Sequence, residues 1–300
     1  MNIDEIYEIK YGRNNKFIDY LYKRGFLISE QEYLVNKNWQ TKKLLDDLYI
    51  TYDSDNDIIH ISKGGGFILI LGIVLDTLTW SMNNKKIADI LLDEYFKNYD
   101  DFLNHLDYIN GKYILVVGKS KNDALLFQDA MGLRSVYFDT KKCLISSHYN
   151  LINDISNNER NPFMETYLNM KPVPWILPAN TTPYKNICSL LPNHSLKIDH
   201  KSDCRIKRFF PRQDYGDISV DFAYDYIAET IRKEMEILQL NKNIMIEMTR
   251  GGDSRITLAA SKQITKKQDI LFYSYVHEGN SEYVKDAMKI VVHHKLEIVE

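Results

Sequence analysis

MTRGGDSR, residues 248–255, lies between an apolar run, NIMIE at 243–247, and a helix-forming run, ITLAASK at 256–262. The pattern predicts a short buried strand, a turn of small residues and a helix that starts beside Asp253 and Ser254. The first backbone N–H groups of a helix lack intrahelical partners and carry the positive end of its dipole, so they attract anions. Glycines let the backbone come close to a phosphate, and an aspartate there can hold the magnesium that accompanies a polyphosphate. A tight strand-to-helix turn capped by Asp253 or Ser254 has the same local pattern. The surroundings must decide between the two.

From Val220 onward, apolar periodicity alternates between helix and strand. DFAYDYIAETIRKEMEILQL reads as a helix, NIMIEM as a strand, ITLAASK as a helix, DILFYSYV as a strand, SEYVKDAMKIVVHH as a helix and LEIVE as a strand. Such alternation predicts an α/β domain with a parallel sheet and right-handed crossovers. In such sheets phosphate binds beyond the carboxyl ends of the strands, often at the first strand-to-helix turn, and MTRGGDSR occupies that turn. This position favours a nucleotide phosphate site over the plain turn.

The preceding residues read differently. IADILLDEYFKNYDDFLNHL, 87–106, has the spacing of an amphipathic helix. KYILVVG, DALLFQD, SVYFDT and CLISSH follow as four strand-like runs separated by turns, as expected of consecutive antiparallel strands. FILILGIVL, 67–75, is too short to span a bilayer and reads as a buried strand or two, with Gly64–Gly66 as the turn into it. NDISNNERNP and KPVPWILPANTTP, the latter with four of the seven prolines, read as long surface connections. SLKID and IKRFF close a first domain, 1–210; 211–219 is the expected linker and 220–300 the second domain.

Three hundred residues suffice for two such domains. A net charge of −3 and a pI of 6.3 give no electrostatic bias toward nucleic acid or membrane. The N-terminus lacks the pattern of a secretory signal. The three cysteines, Cys143, Cys188 and Cys204, have no paired spacing that suggests zinc or a disulfide framework, which points to a reducing cytoplasm. His293 and His294 are adjacent on a helix and face different sides, so a shared metal is not expected. The 21 tyrosines accompany abundant Asn, Lys and Ile, and read as compositional bias rather than base-stacking platforms.

TRGGDS resembles the S-G-G-x-D-S signature of the PP-loop ATP pyrophosphatases, the loop that holds the pyrophosphate part of ATP in the asparagine synthetase family. LLFQDAMGLRSVYFDTKKCLISSH, 125–148, and TTPYKNICSLLPNHSLKID, 181–199, resemble two ordered segments of the glutaminase domain of that family. The likeness extends over most of the chain from about Leu103. It implies an α+β N-terminal domain of the Ntn-hydrolase, class II glutamine amidotransferase-like type, with stacked antiparallel sheets. An α/β PP-loop domain of the adenine nucleotide alpha hydrolase-like type follows. The implied chemistry is an ATP-dependent ligase: with magnesium, a carboxylate is activated as an acyl-adenylate, pyrophosphate leaves, and ammonia or an amine attacks to form an amide. By position, Thr249, Arg250, Gly251, Gly252, Asp253 and Ser254 match the loop. Asp253 is the implied catalytic and magnesium-binding residue, and Tyr275 and Val276 sit where backbone meets adenine.

The chain departs from this pattern in three places. Glutamine-dependent members carry a cysteine directly after the initiator Met, whose thiol works beside its own α-amino group; here position 2 is Asn2. Glutamine hydrolysis is therefore not expected, and Cys143 reads as a buried structural thiol. Arg250 replaces a loop glycine, at a strain cost on the order of 1 kcal/mol if that position needs positive φ, although arginine is also a good phosphate ligand. The chain stops at Glu300, just after the third expected strand, where relatives continue; a second copy or a partner chain is expected to complete the sheet. The alternative readings are a non-catalytic nucleotide-binding or scaffold protein, a fragment of a split synthetase, or a purely structural partner subunit.

Overall fold

The computed structural model describes residues 20–171, 177–198, 204–214, 216–249, 251–263 and 270–274. The chain separates into two compact units. The first comprises the residues up to Val74 together with Asn83–Asp214; the second comprises Leu75–Met82 and the residues from Tyr215 on.

Among the described residues the first unit holds two antiparallel sheets. One has the strand order β10-β8-β9-β1-β3-β2, from β1 Phe26–Ser29, β2 Trp39–Leu45, β3 Leu48–Asp53, β8 Tyr137–Asp139, β9 Leu144–Ser146 and β10 Ile187–Ser189. The other has the order β12-β11-β7-β6-β5-β4, from β4 Ile58–Lys63, β5 Gly66–Asp76, β6 Ile109–Gly118, β7 Leu125–Gln128, β11 His194–Ile198 and β12 Cys204–Arg208. Alternate side chains along each strand enter different cores. Phe67, Leu69 and Leu71 of β5, and Ile114 and Val116 of β6, meet Phe26, Ile28, Leu48, Ile50, Phe138 and Ile145 of the facing sheet. Ile68 and Ile70, with Tyr113, Leu115 and Val117, point the opposite way. There they pack against helix α1, Asn84–Lys97, and helix α2, Tyr99–Leu106. On the outer face of the first sheet, Leu27 and Leu144 pack against Leu151 and Ile152 of helix α3, Tyr149–Ser156.

The result is a four-layer arrangement, helix, sheet, sheet, helix, matching the expected stacked antiparallel sheets. Strands apolar on both faces require it, because either face left in water would cost about 1.5–3 kcal/mol per large side chain. Such a loss over a few residues exceeds the roughly 5–15 kcal/mol of net stability of a domain.

Several expectations are corrected in detail. The single helix over 87–106 is two helices. At Asn98 the backbone is extended (φ −160°, ψ 127°), and its side chain accepts from Asp100 N–H, so Asn98 ends α1 and caps α2. The four runs from Lys112 are not one meander: β6 pairs with β7 in one sheet and β8 with β9 in the other. The chain changes sheet at buried Asp129, whose carboxylate accepts from the N–H groups of Leu133 (2.8 Å) and Arg134 (2.9 Å). The stretch read as a loose connection from Asn153 contains the end of α3 and helix α4, Pro162–Leu168, which Asn161 caps. Thr182, also placed on the surface, is buried, and its hydroxyl donates to the carbonyl of Ile187 (2.6 Å). FILILGIVL lies within one strand, and Gly64 and Gly65 make the turn into it with φ of 58° and 78°.

In the second unit, helix α5 (Val220–Asn241), β13 (Ile244–Glu247), helix α6 (Gly252–Ala260) and β14 (Ile270–Tyr273) follow in order. β13 and β14 pair in parallel, Ile244 opposite Ile270 and Glu247 opposite Tyr273, as a β-α-β crossover requires. Ile246, Met248, Ile270 and Phe272 bury one face with Met235 of α5 and Leu258 of α6. Met245 and Leu271 on the alternate positions are 61% and 38% exposed. The expected parallel sheet is seen here as these two strands; the helix and strand expected over 281–300, with His293 and His294, lie outside the described residues.

Gly72 and Gly111 face each other across β5 and β6. A Cβ on Gly72 would meet the Lys112 carbonyl oxygen at 2.2 Å, one on Gly111 would meet that of Ile73 at 2.1 Å, and both residues have positive φ. Gly111→Ala is therefore expected to destabilise the protein by about 2–4 kcal/mol, read as a lower urea midpoint with an unchanged m-value. An unchanged midpoint would show that the two backbones do not approach so closely.

Candidate functional site

The expected phosphate loop joins β13 to α6. Gly251 is the N-cap residue (φ −66°, ψ 159°), and among the described residues no side chain caps the helix. The helix begins at Gly252, so Asp253 and Ser254 lie in its first turn rather than before it. Ser254 is drawn backward: its hydroxyl lies 3.0 Å from the Thr249 carbonyl and 3.1 Å from the Thr249 hydroxyl, and accepts from Thr249 N–H at 3.2 Å. The Thr249 hydroxyl in turn accepts from Gly251 N–H (3.2 Å). These bonds clamp the loop from below and leave Gly251, Gly252 and Asp253 exposed. A Cβ on Gly252 would meet nothing within 4 Å, and Gly251 has negative φ. The glycines are thus not required by backbone strain; what they provide is open access to the first amides of the helix.

The loop lies at the carboxyl end of a strand of the parallel pair, with the acidic side chain of Asp253 in the first turn of α6. The structure brings Thr249, Gly251, Gly252, Asp253 and Ser254 into one turn. Arg250, Tyr275 and Val276 lie outside the described residues. Among the described residues no group of three or more His, Cys, Asp or Glu side chains could hold a metal ion by itself. An exposed carboxylate beside uncapped amides nevertheless suits magnesium, which is commonly held by one or two carboxylates with phosphate oxygens and water.

Among the described side chains, the two thiols, Cys143 and Cys188, offer little to nucleophilic chemistry. Cys143 is buried, and burial pushes its thiol up to about 12; burial likewise raises that of Cys188. A thiol so raised is protonated and inert at neutral pH.

A second constellation occupies the first unit; the segment 125–148, already singled out in the sequence, gives it Arg134, Ser147 and His148, while its other charged residues carried no signal. A cavity of about 460 Å³ is lined by Lys23, Arg24, Asp55, Lys112, Arg134 and His148, among others. His148 Nδ1 is 2.8 Å from the Ser147 hydroxyl, which accepts from Phe26 N–H at 2.9 Å. Burial, aided by the Arg134 charge, pushes His148 down to about 4, so its ring is neutral at pH 7.

No protein-family model matches this chain, and no curated protein is similar to it in sequence. Among solved structures it is similar to a glutamine phosphoribosylpyrophosphate amidotransferase from B. subtilis, complexed with ADP and GMP. The identity is 11% and the TM-score 0.36, over 80% of this chain and 57% of that one. It is also similar to an allosteric regulatory enzyme of purine biosynthesis, at 10% identity and a TM-score of 0.38, over 91% of this chain and 73% of that one. The chain thus spans little more than half the length of the first. At such scores the fold rests on the strand order and burial described above. Among the described residues no helix is long and apolar enough to cross a membrane.

His148 and His60 are both depressed to about 4, chiefly by burial. The unfolded chain takes up these protons first, near the ordinary histidine value of about 6.5. The stability each contributes is complete above about 6.5 and is lost as pH falls toward about 4. His148→Gln is expected to flatten the fall in urea midpoint across that window, and the wild-type His148 ring should titrate by NMR only near its lower end. Titration of that ring near 6.5 would contradict its burial.

Proposed function

We propose that the chain is an asparagine-synthetase-like, ATP-dependent, amide-forming ligase that uses ammonia or an amine rather than glutamine. One observation carries this reading: an uncapped helix N-terminus, opened by Gly251 and Gly252 and flanked by Asp253, follows a strand of a parallel pair. The amides of the first turn of α6 would hold the pyrophosphate part of ATP, where dipole and unsatisfied N–H groups favour negative charge. Thr249 and Ser254, tied to each other, would hold the loop open in that geometry. Asp253 would supply a carboxylate oxygen to magnesium, which would neutralise phosphate charge when bound.

In the reaction proposed, a carboxylate oxygen of the substrate forms a bond to the α-phosphorus of ATP and the bond to pyrophosphate breaks. Ammonia or an amine then displaces AMP from the acyl-adenylate, and its surplus proton leaves to solvent. Charge on the departing pyrophosphate is what the helix amides would stabilise. The proposal places no thiol in the reaction, consistent with the burial of Cys143. A second copy or a partner chain extending the parallel pair belongs to the same proposal, as does a cytoplasmic location.

The test is pyrophosphate exchange into ATP over a panel of carboxylates, beside calorimetry with Mg-ATP. Asp253→Ala should abolish detectable exchange and weaken Mg-ATP binding about tenfold or more. Gly252→Ala, for which there is room, should change the unfolding free energy by no more than about 0.5–1 kcal/mol while weakening nucleotide binding severalfold. Binding with no AMP formed on any carboxylate would favour the alternative of a nucleotide-binding scaffold; no binding at all would remove both readings.

A further inference from the structure

The cavity of the first unit gathers four cations from three separate places in the chain. Lys23 and Arg24 precede β1, Lys112 lies on β6, and Arg134 follows the turn where the chain changes sheet. Against these four cations the lining offers two carboxylates, Asp55 and Asp57, and Asp55 is taken by Lys23 (2.7 Å). With His148 neutral, the lining side chains by themselves carry a surplus of two positive charges at pH 7, which buried Asp53, 3.8 Å from Lys23 Nζ, and buried Asp129, whose charge acts on Arg134, offset in part.

Arg134 is the centre of this field. It is partly buried, and burial, with the nearby charge of Arg24, lowers it to about 10. Its Nη2 donates to the Arg24 carbonyl (3.0 Å) and to the Asn56 side-chain oxygen, while Asn56 Nδ2 is held by the carbonyls of Gly25 and Asp53. Its Nε is buried and has no hydrogen-bond partner, and no carboxylate pairs with the guanidinium among the described residues. Asp129, the acid whose charge acts on Arg134, spends its oxygens on the backbone N–H groups of Leu133 and Arg134. A partly buried guanidinium whose buried Nε–H donor is unused and to which no carboxylate is hydrogen-bonded is costly unless something supplies the missing acceptor.

We propose that this cavity binds a small dianion: a phosphoryl group, free or as a monoester. A monoester is mostly doubly charged at neutral pH and presents three terminal oxygens, so Arg24, Lys112 and Arg134 can each engage it, which a monocarboxylate with two oxygens and one charge cannot match. Its oxygens suit the planar fork of arginine, with Lys112 and Arg24 as flanking point charges. The volume lies within the roughly 300–1,000 Å³ range of small-molecule sites. Leu133 and Ile73, also in the lining, offer apolar contact to the organic part of a monoester.

The test uses the full chain, with inorganic phosphate, glycerol phosphate and acetate as probes. The Arg134 Nε–H resonance is identified by its loss in Arg134→Lys. It should shift on titration with both phosphates, and acetate should bind about tenfold or more weakly. Arg134→Lys should weaken phosphate binding about tenfold, and Lys112→Ala, an exposed position, about two- to fivefold. Tighter binding of glycerol phosphate than of phosphate marks a monoester as the ligand; equal binding marks the free ion. A resonance that neither phosphate moves, or equal affinity for acetate, overturns the proposal. If Arg134→Lys does not fold, an unchanged affinity in Lys112→Ala overturns it instead. Because the readout sits on Arg134, the result is independent of nucleotide binding at α6.

Discussion

Strands that are apolar on both faces dictate this architecture. β5, β6 and β7 carry large side chains at successive positions, so a sheet built from them must be covered above and below. The second antiparallel sheet covers one side, and α1 and α2 cover the other. The same constraint makes register strict, since a slip of one residue would exchange the members of two differently shaped cores. Where backbone must come unusually close, as at Gly72 and Gly111, the side chain is absent altogether.

The turns that join the layers position the chemistry. Buried Asp129 organises the crossing between sheets by accepting backbone N–H groups, and the same turn delivers Arg134 to the cavity. In the second unit a serine and a threonine play the comparable part, for Ser254 and Thr249 bind each other and the loop backbone, leaving the first amides of α6 exposed. Both are local hydrogen-bond solutions to satisfying backbone groups, and both leave a positive field open to solvent. One field comes from a helix dipole and its unsatisfied amides, the other from formal charges.

Much of this is legible in the residue order because it depends on local period. The strand–loop–helix–strand sequence around MTRGGDSR, the buried FILILGIVL and the glycine turn before it need only nearest neighbours to be read. Other features depend on partners distant in sequence. Within IADILLDEYFKNYDDFLNHL the continuous apolar period masks a local signal, for Asn98 followed by Asp100 and Asp101 is the pattern of a helix start, and α1 and α2 pack on one sheet face. The strand runs after Lys112 are each visible, but which sheet each joins is decided by Phe138 and Ile145 packing across from Leu69 and Val116. Helices α3 and α4 hide in a polar, asparagine-rich stretch because only a few residues, Leu151, Ile152 and Met164, anchor them. Of the cationic cavity only the segment 125–148, which supplies Arg134 and His148, stands out in the sequence; Lys23, Arg24 and Lys112 join it only through the fold.

The central claim is that the first amides of α6 receive the polyphosphate of ATP. The backbone N–H resonances of Gly252, Asp253 and Ser254 report on it without intermediaries. The account requires that saturating Mg-ATP move these three far more than the amides along α5, and that Mg-AMP, lacking the pyrophosphate, leave them nearly in place. Equal shifts with both nucleotides, or none with Mg-ATP, would contradict it.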